Sequence, residues 1–359
     1  MHTAPALDFF LPSIPVRILT PLGQGNINDT WRVDLDNGEK MVLQRLHQEV
    51  FADPAPVMHN MRLVTNHLHR VTRSGTPVFF RLIGNPQGQD YFLDPDGFCW
   101  RLLTYIDNSR TLTSLQNLHQ AKEIGRLLGQ FHLLVAGLDH ASLTDPLPDF
   151  HVTPRYLEHF DAIDAIDAID GVTKTSNDQE AYCLSVIAAQ RQTAGLLEEA
   201  RGHLSMQVIH GDPKVANFLF GADSDRAISL VDLDTVKPGL LLHDLGDCLR
   251  SCCNRLGEAH ADPAATGFDP DLFQSLLSGY WQQAGHLLAA ADRALLVAAV
   301  KLISFELGLR FFTDHLSGDQ YFKVSYPGLN LRRAIIQFRL NQSIREQEDD
   351  LEQRVQALA

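Results

Sequence analysis

The sequence predicts an α+β fold of two lobes, a small β-rich N-terminal lobe followed by a larger, mostly helical C-terminal lobe. Short apolar runs separated by turn residues fill the first hundred residues, a pattern typical of strands. From about Leu115 onwards, apolar residues recur every three or four positions, as they do on helices. A length of 359 residues suits one large bilobal domain or two smaller domains. We therefore expect lobes at residues 1–106 and 107–359.

The N-terminal lobe is predicted to contain several strands and one helix. Residues 18–33 hold a glycine-bearing turn, Gly23-Gln24-Gly25, between two apolar strands, and Asn37-Gly38 marks the next hairpin. The remaining predicted elements are strands at 41–44, 78–83, 91–93 and 99–105 and a helix at 57–70. Residues 106–109 then cross to the second lobe.

The C-terminal lobe is predicted to be a set of packed helices. Helical patterns lie at 124–134, 178–203, 242–257, 270–287, 289–316 and 331–357. The last of these is rich in Arg, Glu and Gln, which predicts a largely solvated helix. Ala-Ile-Asp occurs three times within residues 161–170, and isoleucine at every third position predicts a surface helix without a function.

Composition argues against several functional classes. The formal net charge of −14 disfavours a nucleic-acid or anionic-membrane surface. No apolar stretch approaches the length of a membrane span, and the N-terminus lacks a secretory pattern, so a cytoplasmic protein is expected. The five cysteines are unevenly spaced, and Cys248 and Cys252 continue the apolar stripe of Leu245, Leu249 and Leu256. Reduced core thiols are therefore predicted rather than a metal site.

The most informative stretch is the loop sequence His210-Gly211-Asp212-Pro213-Lys214-Val215-Ala216-Asn217. It offers an acid, then an amide five residues later, and a second acid, Asp232, follows the apolar run 228–231. Asp212 is suited to hold an acceptor hydroxyl, whereas Asn217 and Asp232 offer oxygen ligands for Mg²⁺ on the phosphates of ATP. Predicted strands at 207–209 and 218–220 flank the loop. The pattern indicates a kinase that uses ATP and Mg²⁺.

These residues resemble the aminoglycoside phosphotransferase/choline kinase superfamily, which has a protein-kinase-like bilobal fold. Within it, the sequence is most similar to the bacterial N-acetylhexosamine 1-kinases, which phosphorylate the anomeric hydroxyl of N-acetylglucosamine and N-acetylgalactosamine. The similar stretches are 23–31, 42–46, 100–106, 150–154, 208–250 and 308–331. The catalytic loop is typical of the whole superfamily, and residues 232–235 together with the block 308–331 narrow the resemblance to the sugar 1-kinases.

The resemblance implies roles for individual residues of the C-terminal lobe. Asp212 would orient the acceptor hydroxyl and take its proton, Lys214 would place a cation on the γ-phosphate, and Asn217 and Asp232 would bind magnesium. Asp244 would brace the catalytic loop, although an ordinary helix cap would look the same in sequence. The residues implied to contact the sugar are Asp212, Thr235, Arg310 and Tyr321, with His151 and Asn330 as weaker candidates.

Simpler alternatives exist for three of these positions. Arg310 suits a helix-surface salt bridge equally well, and Tyr321 suits a half-buried core position. Lys214 is also compatible with a solvated side chain that touches no phosphate.

The N-terminal lobe is expected to bind the nucleotide, while the C-terminal lobe holds the catalytic loop and the acceptor pocket. The residues implied to contact the nucleotide are Gly23, Gly25, Asn28, Gln44, Arg45, Tyr105 and Ile106. Protein kinases carry a lysine on the third strand and a glutamate on the next helix. Here the strand ends in Gln44-Arg45 and the helix 57–70 has no acid. Strand alternation puts Gln44 and Arg45 on opposite faces, so only one can point at the phosphates.

Three functional hypotheses follow. The first is an ATP-dependent N-acetylhexosamine 1-kinase, a monomer or small homo-oligomer whose partners are nucleotide and amino sugar. The second is a kinase for another hydroxylated metabolite, such as an aminoglycoside, choline, homoserine or another sugar. The third is a nucleotide-binding pseudokinase that acts as a regulator, which the retention of Asp212, Asn217 and Asp232 argues against.

Overall fold

The computed structural model describes residues 3–22, 27–72, 77–169 and 177–358, without the side chains of 164–169. The predicted turn residues Gly23 and Gly25 lie outside the described residues, as does Asp170 at the end of the Ala-Ile-Asp repeat. The strands are β1 (Val16–Pro21), β2 (Asp29–Leu35), β3 (Lys40–Arg45), β4 (Leu82–Ile83), β5 (Phe92–Leu93), β6 (Cys99–Thr104), β7 (Ser109–Thr111), β8 (Met206–Ile209), β9 (Phe218–Gly221), β10 (Ala227–Leu230) and β11 (Lys237–Leu240).

The helices lie mostly after the sixth strand. They are α1 (Thr3–Phe10), α2 (Pro54–Val71), α3 (Leu118–Val135), α4 (Thr153–Ile169), α5 (Asp178–Gln190), α6 (Leu196–Ala200), α7 (Leu241–Cys252), α8 (Pro270–Ala284), α9 (Ala290–Leu316), α10 (Leu329–Glu346) and α11 (Glu348–Gln356). Two short 3₁₀ helices, Val215–Asn217 and Leu233–Thr235, lie next to the predicted catalytic residues.

The N-terminal lobe is built on one antiparallel sheet with strand order β1-β2-β3-β6-β4, and β5 pairs with β6. The predicted Asn37-Gly38 turn joins β2 to β3, and Gly38 has a φ of 87°, which glycine adopts without strain. Helix α1, which the sequence pattern does not predict, buries Ala6 and Phe10 against Trp100 and its apolar neighbours on the sheet. Strand β6 lies between β3 and β4, so its central residues are buried.

The two lobes are joined by residues 105–108, because β6 ends at Thr104 and β7 begins at Ser109 in a second sheet. That sheet has the order β10-β9-β7, and a separate ribbon pairs β11 with β8. The catalytic loop runs from the end of β8 to the start of β9. The molecule therefore has the small antiparallel N-terminal lobe and the larger helical C-terminal lobe that the sequence predicts.

Helices α3 and α8 pack at unusually close range within the C-terminal lobe. A Cβ atom added to Gly125 on α3 would lie 1.9 Å from the carbonyl oxygen of Leu276, and one added to Gly279 on α8 would lie 2.1 Å from that of Lys122. Only glycine fits at both positions, so the two backbones touch directly. This contact fixes the relative position of His132 on α3 and Tyr280 on α8.

The prediction of one solvated helix at 331–357 is wrong. The segment forms two helices, and α10 is largely buried, with both Asn341 and Gln337 fully inaccessible. Asn341 donates to the carbonyl oxygen of Lys301 at 2.7 Å and accepts a bond from Gln190 at 2.8 Å. A buried polar group such as Asn341 is tolerated when it is hydrogen-bonded, so composition alone gives the wrong burial here. Gln337 is buried without a hydrogen-bond partner among the described residues. The predicted helix 178–203 is likewise divided into α5 and α6.

All five cysteines are buried and unpaired, as predicted. Cys248 and Cys252 lie on the same face of α7, with their sulfur atoms 4.0 Å apart. The described residues contain no cluster of three or more His, Cys, Asp or Glu side chains suited to a metal ion. None of the helices in the described ranges has the length and apolar character needed to cross a membrane.

Candidate active site

Asp244, in the first turn of α7, holds the catalytic loop in place. Its two carboxylate oxygens accept hydrogen bonds from the backbone N–H groups of His210 and Gly211, each at 2.7 Å, and one also lies 2.9 Å from Nε2 of His132. Burial alone would raise the pKa of Asp244, but the hydrogen bond to His132 and the loop amides lower it. Asp244 does not cap α7, whose N-cap is Leu240. The predicted brace is therefore present.

A second set of contacts fixes the backbone at Gly211. Its φ is 88°, and a Cβ atom there would lie 2.6 Å from the carbonyl oxygen of Thr235, so no other residue fits. The carbonyl oxygen of Gly211 accepts a bond from Nε2 of His151 at 2.7 Å, and Nδ1 of His151 lies 3.0 Å from Glu306. Burial alone would lower the pKa of His151, but Glu306 raises it, in accord with an imidazole that donates from both nitrogens.

Asp212 presents a partly exposed carboxylate above this support. Its side chain is 26% exposed, and its Oδ2 atom lies 2.5 Å from Nζ of Lys214. Burial alone would raise the pKa of Asp212, but the Lys214 ammonium group lowers it, so the carboxylate is ionised at neutral pH. Asn217 donates to the carbonyl oxygen of Asp212 at 2.7 Å. The amide oxygen of Asn217 has no hydrogen-bond donor among the described residues.

Asp232 lies beside this loop at the end of β10, in a left-handed backbone conformation with φ 69° and ψ 61°. A non-glycine residue in this conformation is strained, and such strain is frequent at functional sites. Burial and then the neighbouring Asp234 raise the pKa of Asp232 to about 7. Within the described ranges no group donates a hydrogen bond to its carboxylate. The oxygen atoms of Asp232 and Asn217 are the type of ligand that Mg²⁺ prefers, so the donor set fits this ion.

Gln44 and Arg45 lie on opposite faces of β3, as strand alternation predicts. Oε1 of Gln44 accepts hydrogen bonds from Nε and Nη2 of Arg101 at 2.9 and 2.7 Å. Arg45 instead pairs with Asp29 at 2.5 Å, and its guanidinium group lies 4.5 Å from the ring centre of Phe98. Gln44 thus contacts the same arginine that pairs with Asp234 of the second lobe, whereas Asp29, the partner of Arg45, also pairs with Lys323.

The other described candidates for nucleotide contact lie on both sides of the space between the lobes. Asn28, just before β2, donates to Oδ2 of Asp234 at 2.6 Å and accepts a bond from the backbone N–H of His47 at 3.0 Å. Tyr105 and Ile106 belong to the segment that joins the lobes, and both are half-buried. The carbonyl oxygen of Ile106 accepts a hydrogen bond from the hydroxyl of Ser109 at 2.6 Å.

Thr235 differs from the other residues implied to bind sugar. Its side chain is buried, and its hydroxyl donates to the carbonyl oxygen of His210 at 2.9 Å. The hydroxyl of Thr235 thus supports the catalytic loop through a backbone carbonyl group, whereas Asp244 supports it through backbone N–H groups.

Arg310 is enclosed by aromatic rings instead of a salt bridge. Its guanidinium carbon lies 4.9 to 5.7 Å from the ring centres of Phe150, Tyr156, Phe322 and Tyr321. The hydroxyl of Tyr321 lies 3.5 Å from Nη2 of Arg310, and no carboxylate of the described residues lies within 4.0 Å of the guanidinium group. The alternative of a helix-surface salt bridge is therefore wrong for Arg310.

Arg310 and Tyr321 line a cavity of about 430 Å³ between α4, α9 and the loop after α9. Asp212 and Thr235 do not line it. Asp314 shapes one wall, since its carboxylate accepts bonds from the backbone N–H groups of residues 320–322. Asn330 is fully buried and donates to Asp314 at 2.9 Å, so it supports the loop that carries Tyr321.

Two residues of the site were not predicted from the sequence. Nη1 of Arg101, on β6, lies 2.5 Å from Oδ1 of Asp234, and both side chains are buried. A sequence signal for Arg101 does exist, because it is a lone charge within the apolar strand 99–103, and buried arginine is rare unless paired. The identity of its partner depends on the fold, since the two residues lie on different lobes.

Comparisons with known proteins agree with this architecture. Residues 18–285 match the model of the Phosphotransferase enzyme family, APH. This range includes the catalytic loop, Asp232 and Asp244 but ends before Arg310 and Tyr321.

Solved structures give the same result for the fold. An aminoglycoside phosphotransferase from Alicyclobacillus acidocaldarius superposes with a TM-score of 0.60 at 14% identity, covering 97% of this chain and 96% of that chain. Amicoumacin kinase hAmiN, in complex with AMP-PNP, Ca²⁺ and Ami, has a TM-score of 0.58 at 17% identity, with coverage of 94% and 90%. A microcompartment-associated aminopropanol kinase has a TM-score of 0.57 at 15% identity and 94% coverage of both chains. These similarities confirm the predicted protein-kinase-like fold.

Proposed function

Because the chain belongs to the phosphotransferase enzyme family, we propose that it is an ATP-dependent kinase that phosphorylates the anomeric hydroxyl of an N-acetylhexosamine. One observation carries the kinase assignment. An ionised, partly exposed Asp212 lies in a loop that is fixed by buried hydrogen bonds, and the oxygen atoms of Asn217 and Asp232 lie beside it without donors among the described residues. Phosphoryl transfer needs this combination of a positioned carboxylate and metal ligands.

Asp212 accepts a proton from the acceptor hydroxyl in this proposal. Its lowered pKa makes it a weak base, which suffices because proton transfer is late in a loose phosphoryl-transfer transition state. A hemiacetal hydroxyl is more acidic than an ordinary alcohol, so the anomeric position suits such a base. Lys214 keeps Asp212 ionised and provides a positive charge near the transferred phosphoryl group.

Asn217 and Asp232 would hold Mg²⁺ through the amide oxygen and the carboxylate. When bound, the ion neutralises charge on the phosphates of the nucleotide. The nucleotide would lie between the lobes, next to Asn28, Gln44 and the joining residues Tyr105 and Ile106. The turn residues Gly23 and Gly25 remain predicted phosphate contacts, whereas Arg45 is directed towards Asp29 and two aromatic rings, so we assign the role at β3 to Gln44.

The acceptor would bind against Arg310 and Tyr321. Aromatic contacts leave guanidinium N–H groups of Arg310 free to donate to sugar hydroxyls or to an acetamido carbonyl oxygen, and Tyr321 adds a polar ring. The fixed positive charge of Arg310 also disfavours a cationic group at the same position. Thr235, implied by the resemblance as a sugar contact, would contribute by holding the loop, since it bonds to His210 and packs directly against Gly211.

The product of the reaction tests the assignment. The protein is incubated with ATP, Mg²⁺ and N-acetylglucosamine or N-acetylgalactosamine, and the product is analysed by ³¹P NMR and a reducing-sugar assay. We expect a non-reducing phosphate ester that mild acid hydrolyses, and we expect the methyl glycoside of the same sugar to be inert. A reducing, acid-stable ester would exclude transfer to the anomeric oxygen while retaining the kinase assignment.

A second candidate is a kinase for an amino alcohol or aminoglycoside, because Glu49 lines the 430 Å³ cavity and has no partner among the described residues. An exposed carboxylate at the cavity wall attracts an ammonium group. A panel of amino alcohols and aminoglycosides assayed with ATP separates the two candidates. If this candidate is correct, Glu49→Gln raises the KM of the amine, whereas phosphorylation of an uncharged N-acetyl sugar does not depend on Glu49.

A further inference from the structure

Arg101 and Asp234 form an ion pair that joins the two lobes. Arg101 lies in the middle of β6 with its side chain fully inaccessible, and Asp234 lies in the 3₁₀ helix that follows Asp232. Their side chains approach to 2.5 Å, between Nη1 and Oδ1. The contact is an ion pair and not a hydrogen bond, because neither Nη1 of Arg101 nor Oδ1 of Asp234 has a hydrogen-bond partner among the described residues. Each charge compensates the other in this buried position, so the loss of either leaves an unpaired buried charge.

Hydrogen bonds to other atoms of the two residues fix the orientation of this pair. Gln44 accepts two N–H groups of Arg101 and donates through Nε2 to the hydroxyl of Thr30 at 3.2 Å. The second oxygen of Asp234 accepts from Asn28 at 2.6 Å. Both carboxylate oxygens of Asp234 are therefore engaged by side chains of the N-terminal lobe. Asp232, two residues earlier, has no such partner among the described residues.

We propose that Arg101 is a positioning residue for nucleotide binding, which acts through Asp234 to orient the metal-binding Asp232. This inference rests on the proposed nucleotide-dependent function. In protein kinases a lysine on the third strand pairs with a glutamate of the following helix, and both must be in place for activity. Here Gln44 occupies the lysine position, the positive charge comes from the neighbouring strand, and the negative charge comes from the other lobe.

The arrangement couples three parts of the nucleotide site. Arg101 connects the sheet to the segment 232–235, and Asn28, just before β2, donates to the same carboxylate. Without Arg101, the carboxylate of Asp234 loses its counter-ion next to Asp232. The strained left-handed backbone at Asp232 then has less support, so its carboxylate is less well placed for Mg²⁺. Arg310 and Tyr321 make no contact with this network in the described structure.

Binding of MgATP in the absence of any acceptor tests the inference, because it does not depend on which sugar is used. We expect Arg101→Met and Asp234→Asn each to weaken MgATP binding by about tenfold or more in calorimetric titrations. The double variant should bind no worse than the weaker single variant, since both changes remove one interaction. Arg110→Met is the matched control, because it breaks a half-exposed pair with Asp225 at 3.0 Å, and it should change binding less than about twofold.

Thermal melting separates positioning from folding. Single substitutions leave an unpaired buried charge, whereas Arg101→Met combined with Asp234→Asn leaves none and should melt nearer to the wild type. We expect this double variant to regain stability but not MgATP affinity. Arg101→Lys keeps the charge but not the two bonds to Gln44, so it should regain part of the affinity. The acceptor KM should stay within about twofold of the wild-type value in every variant that folds.

Two outcomes would contradict the inference. If the double variant binds MgATP as the wild type does, the pair stabilises the fold only. If Asp234→Asn weakens MgATP binding and Arg101→Met does not, Asp234 acts without Arg101, as a metal ligand would. A wild-type protein that binds no MgATP would instead overturn the proposed function, and this inference with it.

Discussion

The catalytic loop and the cavity around Arg310 satisfy their polar groups in opposite ways. Around the loop, Asp244, Thr235 and His151 use their hydrogen-bonding atoms on the backbone of residues 210–211. Around the cavity, Arg310 has four aromatic neighbours and one long contact to a tyrosine hydroxyl. The backbone N–H and C=O groups of His210 and Gly211 are all bonded within the protein, whereas Arg310 keeps N–H groups available for a ligand.

This difference separates residues that set geometry from residues that recognise a ligand. A loop whose amides and carbonyls are bonded within the protein needs no reorganisation when the substrate arrives, which is the main requirement of electrostatic catalysis. A guanidinium group held between rings is fixed in position, yet apart from the long contact of Nη2 to the Tyr321 hydroxyl its N–H groups have no acceptor among the described residues. Substitutions in the two regions should therefore differ in which kinetic constant they change.

The largest effect is expected for Asp212→Asn, which keeps the shape of the loop but removes the base. Turnover should fall by about a hundredfold or more, while MgATP binding changes little. Steady-state kinetics and calorimetric titration measure the two quantities. Asp223→Asn, in the exposed turn after β9, serves as the control and should behave as the wild type. Near-normal turnover of Asp212→Asn would mean that the loop is not the catalytic centre.

Asp244→Asn should reduce stability, because an amide has only one oxygen and cannot accept hydrogen bonds at both positions. Its NH₂ group would face the backbone N–H group of His210 or Gly211. The free energy of unfolding should fall by about 2–3 kcal/mol, measured by denaturant titration. The folded-state pKa of Asp244 is lowered, so its contribution is present above about pH 4 and is lost as the pH falls. The stability difference between wild type and variant should therefore shrink below pH 4. A constant difference would show that the carboxylate charge is unimportant.

Arg310→Ala should impair use of the acceptor without affecting the nucleotide. Losing a donor to a sugar oxygen costs about 1–3 kcal/mol, which corresponds to a decrease of roughly 5- to 150-fold in kcat/KM for the sugar. The KM for ATP should remain within about twofold. Arg339→Ala is a matched control, because Arg339 also stacks on a tyrosine, Tyr182 at 4.6 Å, but neither residue lines the cavity. Equal losses for both substrates would indicate that Arg310 is structural.

The smallest effect is expected for Lys323→Ala. Lys323 follows the cavity loop and reaches across to Asp29 at 2.8 Å, but both side chains are more than a third exposed. Exposed pairs contribute about 0.2–1 kcal/mol, so the KM for ATP should rise less than about fivefold. Arg155→Ala, which breaks an exposed pair within α4, gives the baseline. A larger change would mean that the cavity loop and the nucleotide site are coupled more strongly than their exposure indicates.

The sequence predicts the parts of the site that are close together along the chain. Asp212, Lys214 and Asn217 fall within one loop, and flanking strands identify it, so local pattern is sufficient. The Arg101–Asp234 pair depends on β6 meeting a segment more than a hundred residues later, and no local pattern specifies that contact. Alternation along β3 correctly places Gln44 and Arg45 on opposite faces. Which of the two can point at the phosphates depends on where the C-terminal lobe lies, and the strand pattern does not specify that.

Polar composition is the least reliable predictor of which side chains are buried. The helix α10 was expected to be solvated, yet Asn341 and Arg333 are buried there. The sequence also does not decide the environment of Arg310, because an arginine in a helix-surface salt bridge and a ligand-binding arginine have the same sequence pattern. Burial of polar groups depends on partners that only the folded chain brings into reach.

The glycine contact between α3 and α8 has a consequence for mutational tolerance. Gly279 precedes Tyr280, whose hydroxyl lies 2.9 Å from His132, and His132 in turn contacts Asp244 below the catalytic loop. Any side chain at Gly125 or Gly279 must separate the two helices, and the separation would pass along this relay to the reacting carboxylate. Two glycines in the contact between α3 and α8 therefore restrict how the active site can vary, even though neither belongs to the catalytic loop.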